Sequence, residues 1–382
     1  MLGGGQGTSG DSRVTAARQT RTVRAIDGLK GVGALGIVVF HMSAALAYSP
    51  EFGFTAGWFG KYFLLLDLFF VLSGYGVALG YADTFRERVT ARDYGRFLWG
   101  RFVRLYPLYL FVLLVLGAQE IVHLAAMTAG WYDPGHIPFQ KPTANWWNYL
   151  TSLAMVQSWG FHNKLVWNIP AWYVSALICA YFVFPFLAWT AARLPVRYRA
   201  AAVIAVAGCA TVALHIAFQA RLFPGPNDMS PLRAVVEFGL GYGIALLKPG
   251  PAWRRWLQLP LVVVVFWGLH HGWRDWQILI AMTALLWALL DDVGVAAAFL
   301  GSRAMVWLGS ISYGIFLVHQ PILSWFDALG RSPLAPHLWI LWSQHFSWNI
   351  ALRFVVIVVA GWAAHRYVAT PAQRWLQGTA GR

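Results

Sequence analysis

Residues 25–41 read AIDGLKGVGALGIVVFH, and the reading of the whole chain turns on them. Lys30 and His41 stand eleven residues apart with only glycine and apolar residues between them. An α-helix advances about 100° per residue, so eleven steps close three turns plus roughly 20° and both side chains leave one side. At ~1.5 Å per residue the imidazole lies ~16 Å beyond the ammonium, about half the ~30 Å hydrocarbon thickness of a bilayer. In a membrane-spanning helix the lysine marks the edge and the histidine a point near the midplane. Polar groups at that depth are expensive and functional by default. A packing histidine is the bland alternative; the lysine in register and the depth favour chemistry. A neutral imidazole is the usual acceptor for the proton of an alcohol.

Composition supports the membrane reading. The 382 residues are 58% hydrophobic and only 12% charged, with mean hydropathy +0.54. A soluble domain carries about 25% charged residues, so an ordinary soluble enzyme is excluded. The 22 tryptophans suit the aromatic belts at membrane interfaces. In a soluble domain the net charge of +14 would point to nucleic acid. Loop charge on one membrane face explains it better, and no nucleic-acid partner is expected. Cys179 and Cys209 both fall in apolar runs and read as small packing residues without a disulfide framework.

Apolar runs at about 31–48, 62–80, 105–125, 171–191, 200–218, 232–247, 256–270, 276–291, 304–325 and 348–365 predict an all-α bundle of about ten transmembrane helices. Several are shorter than ~20 residues, which allows tilt or re-entry. The aromatic stretch 146–160 is too short to cross and reads as interfacial or re-entrant. With both termini in the cytoplasm, 21 of the 29 Lys and Arg residues fall on the inner side. The eight outside are Lys61, Lys141, Lys164, Arg221, Arg233, Arg274, Arg331 and Arg353. That bias is the positive-inside signature. Residues 1–23 read as a disordered cytoplasmic tail, 24–368 as one membrane domain and 369–382 as a cytoplasmic tail. The basic region ahead of the first run is too long for a cleaved signal peptide.

Other polar residues interrupt the spans. Asp67, in Asp67-LFFVLSGY, must be paired or face water. It either orients His41 and strengthens it as a base, or pairs with an arginine for structure. Arg101 and Arg104 are i, i+3 neighbours at the inner boundary, with Arg96 one turn earlier. Such forks suit phosphate, although snorkelling arginines also look like this. A Pro-initiated helix places Trp172 at the outer interface. The run Leu308-GSISYGIFLVHQP brings Ser312, Tyr313 and His319 to one helix, where they either line a cavity or pack against neighbours. His270 and His271 read as solvated, and no metal site is expected.

The segments AIDGLKGVGALGIVVFH (25–41), LDLFFVLSGY (66–75), RFVRLYPLY (101–109), PAWYVSALICAYFVFP (170–185) and LGSISYGIFLVHQP (308–321), in that order, resemble the acyltransferase-3 family of integral-membrane O-acyltransferases. The resemblance runs from about residue 24 to 366. The family's basic-x10-His motif falls on Lys30 and His41, and its RxxR motif on Arg101 and Arg104. It implies an essential histidine at His41 and a cytoplasmic acyl-coenzyme A, by default acetyl-coenzyme A, engaged by basic residues. Many members carry glutamate where this chain has Leu177. No SGNH-type domain follows the last span, which implies a stand-alone transferase.

Together these readings give an expectation. Lys30, Arg96, Arg101 and Arg104 hold the donor, and His41, oriented by Asp67, takes the proton of an envelope carbohydrate or glycolipid hydroxyl or briefly takes the acyl group itself. Trp172, Ser312, Tyr313 and His319 contact the acceptor. The location is the bacterial inner membrane. The rivals are a transporter or flippase of a glycan or lipid precursor, which also uses intramembrane His, Asp and Arg, and a catalytically idle scaffold.

Overall fold

A computed structural model of the protein describes residues 23–47, 57–130, 137–162, 164–218, 229–247, 250–330 and 346–380. Every one of the ten apolar runs is helical. The helices are α1 (Arg24–Ala47), α2 (Leu65–Tyr81), α3 (Ala91–Thr128), α4 (Trp146–Leu153), α5 (Trp172–Ala191), α6 (Val196–Phe218), α7 (Ser230–Ala245), α8 (Gln258–His270), α9 (Asp275–Leu289), α10 (Val295–Leu300), α11 (Arg303–Gly330), α12 (Phe346–Ala364) and α13 (Thr370–Ala380). A π-helical turn, His365–Ala369, joins the last two. The 1–22 tail lies outside the described residues, as do Arg13, Arg18, Arg21, Arg221, Lys248, Arg331 and Arg382.

Seven helical stretches among the described residues are long and apolar enough to cross a membrane: 24–43, 62–81, 91–128, 169–191, 196–218, 303–328 and 348–378. The other three predicted spans form the shorter helices α7, α8 and α9, of 16, 13 and 15 residues. Those lengths fall below the ~20 residues an upright crossing needs. The chain is an all-α membrane bundle. Large apolar side chains are exposed along its flanks, among them Val206, Val263 and Phe266. Stretch 146–160 holds only the two-turn helix α4, preceded by the two-residue strands β1 (Gln140–Lys141) and β2 (Ala144–Asn145), which pair antiparallel.

Glycine-mediated seams hold the bundle together. A Cβ on Gly28 would meet the Leu300 carbonyl at the end of α10; between α1 and α11, one on Gly31 would meet the backbone of Gly309, and one on Gly309 the carbonyl of Asp27. Only residues without a side chain permit this approach, the usual device where helices pack in lipid. Later residues of α1 meet later residues of α11, so the two helices are parallel. Between α2 and α7, Gly74 lies against the Phe238 carbonyl and Gly241 against the Val71 carbonyl.

The helix ends form two faces. One gathers the start of α1, the end of α2 and the starts of α3 and α11. Asp292 accepts from the backbone nitrogens of Arg24 and Ala25, both at 2.8 Å, and so caps α1. At the opposite face Lys61 pairs with Asp275 at 2.6 Å and Arg353 with Asp327 at 2.7 Å.

Candidate active site

His41 and His319 are 278 residues apart in sequence and adjacent in space. His319 Nε2 lies 3.3 Å from His41 Nδ1, and the ring centroids are 4.9 Å apart. His319 is fully buried and His41 half-buried. Their order follows from the parallel helices: Gly31 to His41 and Gly309 to His319 are both ten residues, about 15 Å of rise.

The surrounding carbonyls fix the tautomers. His319 Nδ1 lies 3.3 Å from the Ile315 carbonyl, and His41 Nδ1 lies 3.0 Å from the Ile37 carbonyl. A carbonyl only accepts, so each Nδ1 carries the proton in the neutral ring. His41 Nδ1–H is then shared, directed to the Ile37 carbonyl at 3.0 Å and to the lone pair of His319 Nε2 at 3.3 Å. The remaining nitrogen, His41 Nε2, is an unprotonated base. When it takes a proton, His41 donates to His319 a charge-assisted bond, stronger than the neutral one.

Asp67 is placed elsewhere. Its carboxylate is gripped by the Arg233 guanidinium through Nε and Nη2, and His319 occupies the position on His41 that Asp67 was expected to hold. Of the two roles open to Asp67, the structure shows the arginine partner. Arg233 itself was counted as an outer-loop charge; it is buried in α7, with its guanidinium 5.9 Å over the Trp172 ring. Trp172 is buried beneath it against Phe70, which makes it a packing residue here rather than a wall open to an acceptor.

The hydroxyls of α11 are also committed to backbone. Ser312 donates to the Gly309 carbonyl at 2.8 Å. Tyr313 donates to the Leu105 carbonyl at 2.9 Å and ties α11 to α3. Of the expected acceptor contacts, Ser312 is thus bonded within its own helix and Tyr313 joins two helices. Of that group only His319 reaches His41.

The basic residues stand at the face where α1 begins. Lys30 pairs with Asp27 at 2.8 Å, both partly exposed. Thr90 caps α3 by accepting from the Asp93 nitrogen at 3.1 Å, which starts the helix that carries the arginines. Arg96 and Arg104 are exposed. Arg101 donates from Nη2 to the Tyr81 hydroxyl at 3.2 Å, with its guanidinium 4.9 Å over that ring. Its buried Nε meets no acceptor among the described residues, a donor available for an anion.

Sequence reading missed Asn168 and Gln157. Pro321 has no N–H, which leaves the Leu317 carbonyl without its helical partner. Asn168 Nδ2 takes that carbonyl at 2.9 Å. Gln157 Nε2 donates to Tyr109 Oη at 3.0 Å and to the Ala171 carbonyl at 3.2 Å. The proline two residues after His319 was the available signal. An apolar groove of about 370 Å³ between α3, α11 and α12, lined by Phe111, Val318, Pro321, Trp325 and Tyr367 among others, offers room for hydrocarbon.

A family model described as an acyltransferase domain matches residues 23–366. The chain is 26% identical to "Acyltransferase MdmB" of Streptomyces mycarofaciens, over 93% of each chain. It is 23% identical to "Putative peptidoglycan O-acetyltransferase YrhL" of Bacillus subtilis (strain 168), over 92% of this chain and 55% of that one. "Protein 2 in picA locus" of Rhizobium radiobacter is 37% identical over 25% of this chain and 44% of its own. No solved structure matches.

Proposed function

The chain belongs to the acyltransferase-3 family and is a membrane O-acyltransferase, and from that premise we propose its donor, acceptor and mechanism. The donor is an acyl-coenzyme A, with acetyl the first candidate. The acceptor is a hydroxyl of an envelope carbohydrate or glycolipid. The protein sits in a bacterial inner membrane with ten spans and its arginine-rich face in the cytoplasm.

At that face Arg101, Arg104, Arg96 and Lys30 engage the phosphates of the donor. Guanidinium forks suit phosphate oxygens, and Lys30 exchanges Asp27 for them. The thin pantetheine arm extends along α1 toward His41. The acceptor enters from the opposite face. His41 Nε2 takes the hydroxyl proton as the oxygen attacks the thioester carbonyl. The C–O bond forms, the C–S bond breaks, and the departing sulfur receives the proton from His41 as free thiol. His319 holds the His41 ring through Nδ1 and supports the imidazolium that forms transiently. General base catalysis of this kind contributes about 10²- to 10⁴-fold.

The observation that carries this reading is the 3.3 Å contact between His319 Nε2 and His41 Nδ1, because it leaves His41 with a defined free lone pair. The test is purified protein in lipid discs with radiolabelled acetyl-coenzyme A and envelope membranes. Label should move to a glycan, and His41→Ala should abolish the transfer while remaining folded. Transfer at the wild-type rate by His41→Ala would overturn the mechanism. Translocation of a glycan precursor without label would favour a transporter.

A further inference from the structure

We propose that Asp67 and Glu237 form a second titratable site, a buried carboxyl pair that binds one exchangeable proton at neutral pH. The site lies on the α2–α7 seam and neither depends on the transferase mechanism nor takes part in it. Thioester plus alcohol gives ester plus thiol, which conserves protons.

The seam is dry. Gly74 and Gly241 bring the two backbones into contact, and Asp67 and Glu237 are 0% exposed, Arg233 1% and His215 2%. Among the described residues Arg233 supplies the permanent positive charge of the cluster. It binds both oxygens of Asp67 and reaches Glu237 Oε1 only at 3.5 Å. His215 Nε2 lies 3.3 Å from the same oxygen. Glu237 Oε2, fully buried, receives no donor, and His215 Nδ1 has no partner either. Arg233 Nε faces both carboxyls, Asp67 through Oδ1 and Glu237 through Oε1, so the two acids crowd one guanidinium. Two carboxylates held that close in a buried site resist both staying ionised, and a proton on one of them relieves the repulsion.

Charge counting gives the same result. Two carboxylates against one guanidinium leave a net negative charge in a site closed to bulk solvent, which is strongly unfavourable. One proton on the carboxyl pair makes the cluster neutral. A proton on His215 instead would leave an Nδ1–H without an acceptor among the described residues and keep two anions crowded on one guanidinium.

Among the described residues no neighbouring element supplies a second cation. From α5 come Trp172 over Arg233 and Tyr173, bonded to the Ser73 hydroxyl at 3.3 Å. From α9 comes Asp275, already balanced by Lys61. From α6 come His215 and Thr211, neither permanently charged.

The test is infrared spectroscopy of the full chain in lipid discs at pH 7. Wild type should show a protonated carboxyl C=O band that shifts in D₂O and is lost in both Glu237→Gln and Asp67→Asn. A second measurement reads the same proton through stability. Unfolded Asp and Glu ionise near pH 4, so above that the native state carries one extra proton. The unfolding constant then rises tenfold per pH unit as pH increases, and Glu237→Gln removes one proton from that slope. A folded Glu237→Gln protein with the wild-type carboxyl spectrum and the wild-type slope would overturn the proposal. Glu237→Gln decides alone if Asp67→Asn fails to insert, because its amide keeps the shape and needs no proton.

Discussion

His319 Nε2 lies 3.3 Å from His41 Nδ1, and each imidazole stands ten residues beyond a glycine of the same helix crossing. Gly31 meets the backbone of Gly309, and from there α1 and α11 rise together for about 15 Å. The spacing that looks like a property of α1 alone is a property of two parallel helices. The glycines set the closeness, and equal rise delivers the rings to the same depth.

Because His319 accepts the His41 Nδ1 proton, its replacement should impair the chemical step more than substrate binding. His319→Ala should lower kcat by about 10²-fold, within the range for general base catalysis, with KM for the donor little changed. His319→Gln should recover part of the loss, since an amide oxygen can accept the same proton. A pH–rate profile separates this from a folding defect: in His319→Ala the limb that reports the base should move.

The glycine seam should be as sensitive as the site it serves. Gly309→Val places a branched side chain against the Asp27 carbonyl, which already touches the position a Cβ would take. Overpacking of this kind costs about 1–3 kcal/mol. Thermal unfolding should fall accordingly, and activity should drop although Gly309 is about 15 Å from the histidines.

The helices were legible because apolar length is a strong signal, and all ten runs are helical. Their extents were less so. Gly241 faces α2, while Gly239 and Gly243 face α6 on the other side, so α7, of 16 residues, is packed on two sides, which apolar length alone does not reveal. His41 and His319 both drew notice, but no local pattern shows that residues 278 apart touch. Charges near helix ends misled. Arg233 and Arg254 read as loop cations, yet both are buried, Arg233 on Asp67 and Arg254 on Asp291. For Arg233 the signal was present: Glu237 stands four residues on, one helical turn away.

Donor affinity should depend on Arg101 more than on its exposed neighbours. Arg101 is held over the Tyr81 ring with Nε unpartnered, so it is preorganised for an anion. A charge-assisted hydrogen bond contributes about 1.5–3 kcal/mol, or roughly 10- to 100-fold in affinity. Arg101→Ala should raise the dissociation constant for acyl-coenzyme A by that factor. Arg96→Ala, at an exposed position, should change it by less than about threefold. Titration of the purified variants with coenzyme A checks both.

Asn168 should stabilise α11 by replacing the bond that Pro321 removes. Asn168→Leu leaves the Leu317 carbonyl buried without a donor, a loss of about 1–3 kcal/mol. The measurement is thermal unfolding of the single variant and of the pair with Pro321→Ala. The alanine restores the helical N–H to Leu317, so the double variant should regain most of the loss.

The 137–168 segment should loosen in acid through His162. Its Nε2 lies 2.6 Å from Thr151 Oγ1, and burial pushes its imidazole below the ordinary histidine value. An unfolded His162 takes a proton near pH 6.5, whereas the folded ring resists it to lower pH. The stability it contributes is therefore complete above about pH 6.5 and lost as pH falls below that value, by at most tenfold in the opening constant per pH unit. Hydrogen exchange of residues 146–162, corrected for intrinsic rates, should quicken between pH 7.5 and 5.5 in wild type. In His162→Gln the pH dependence should vanish, because the amide keeps a partner for Thr151 and does not titrate. Equal acid sensitivity in both proteins would place the titrating group elsewhere.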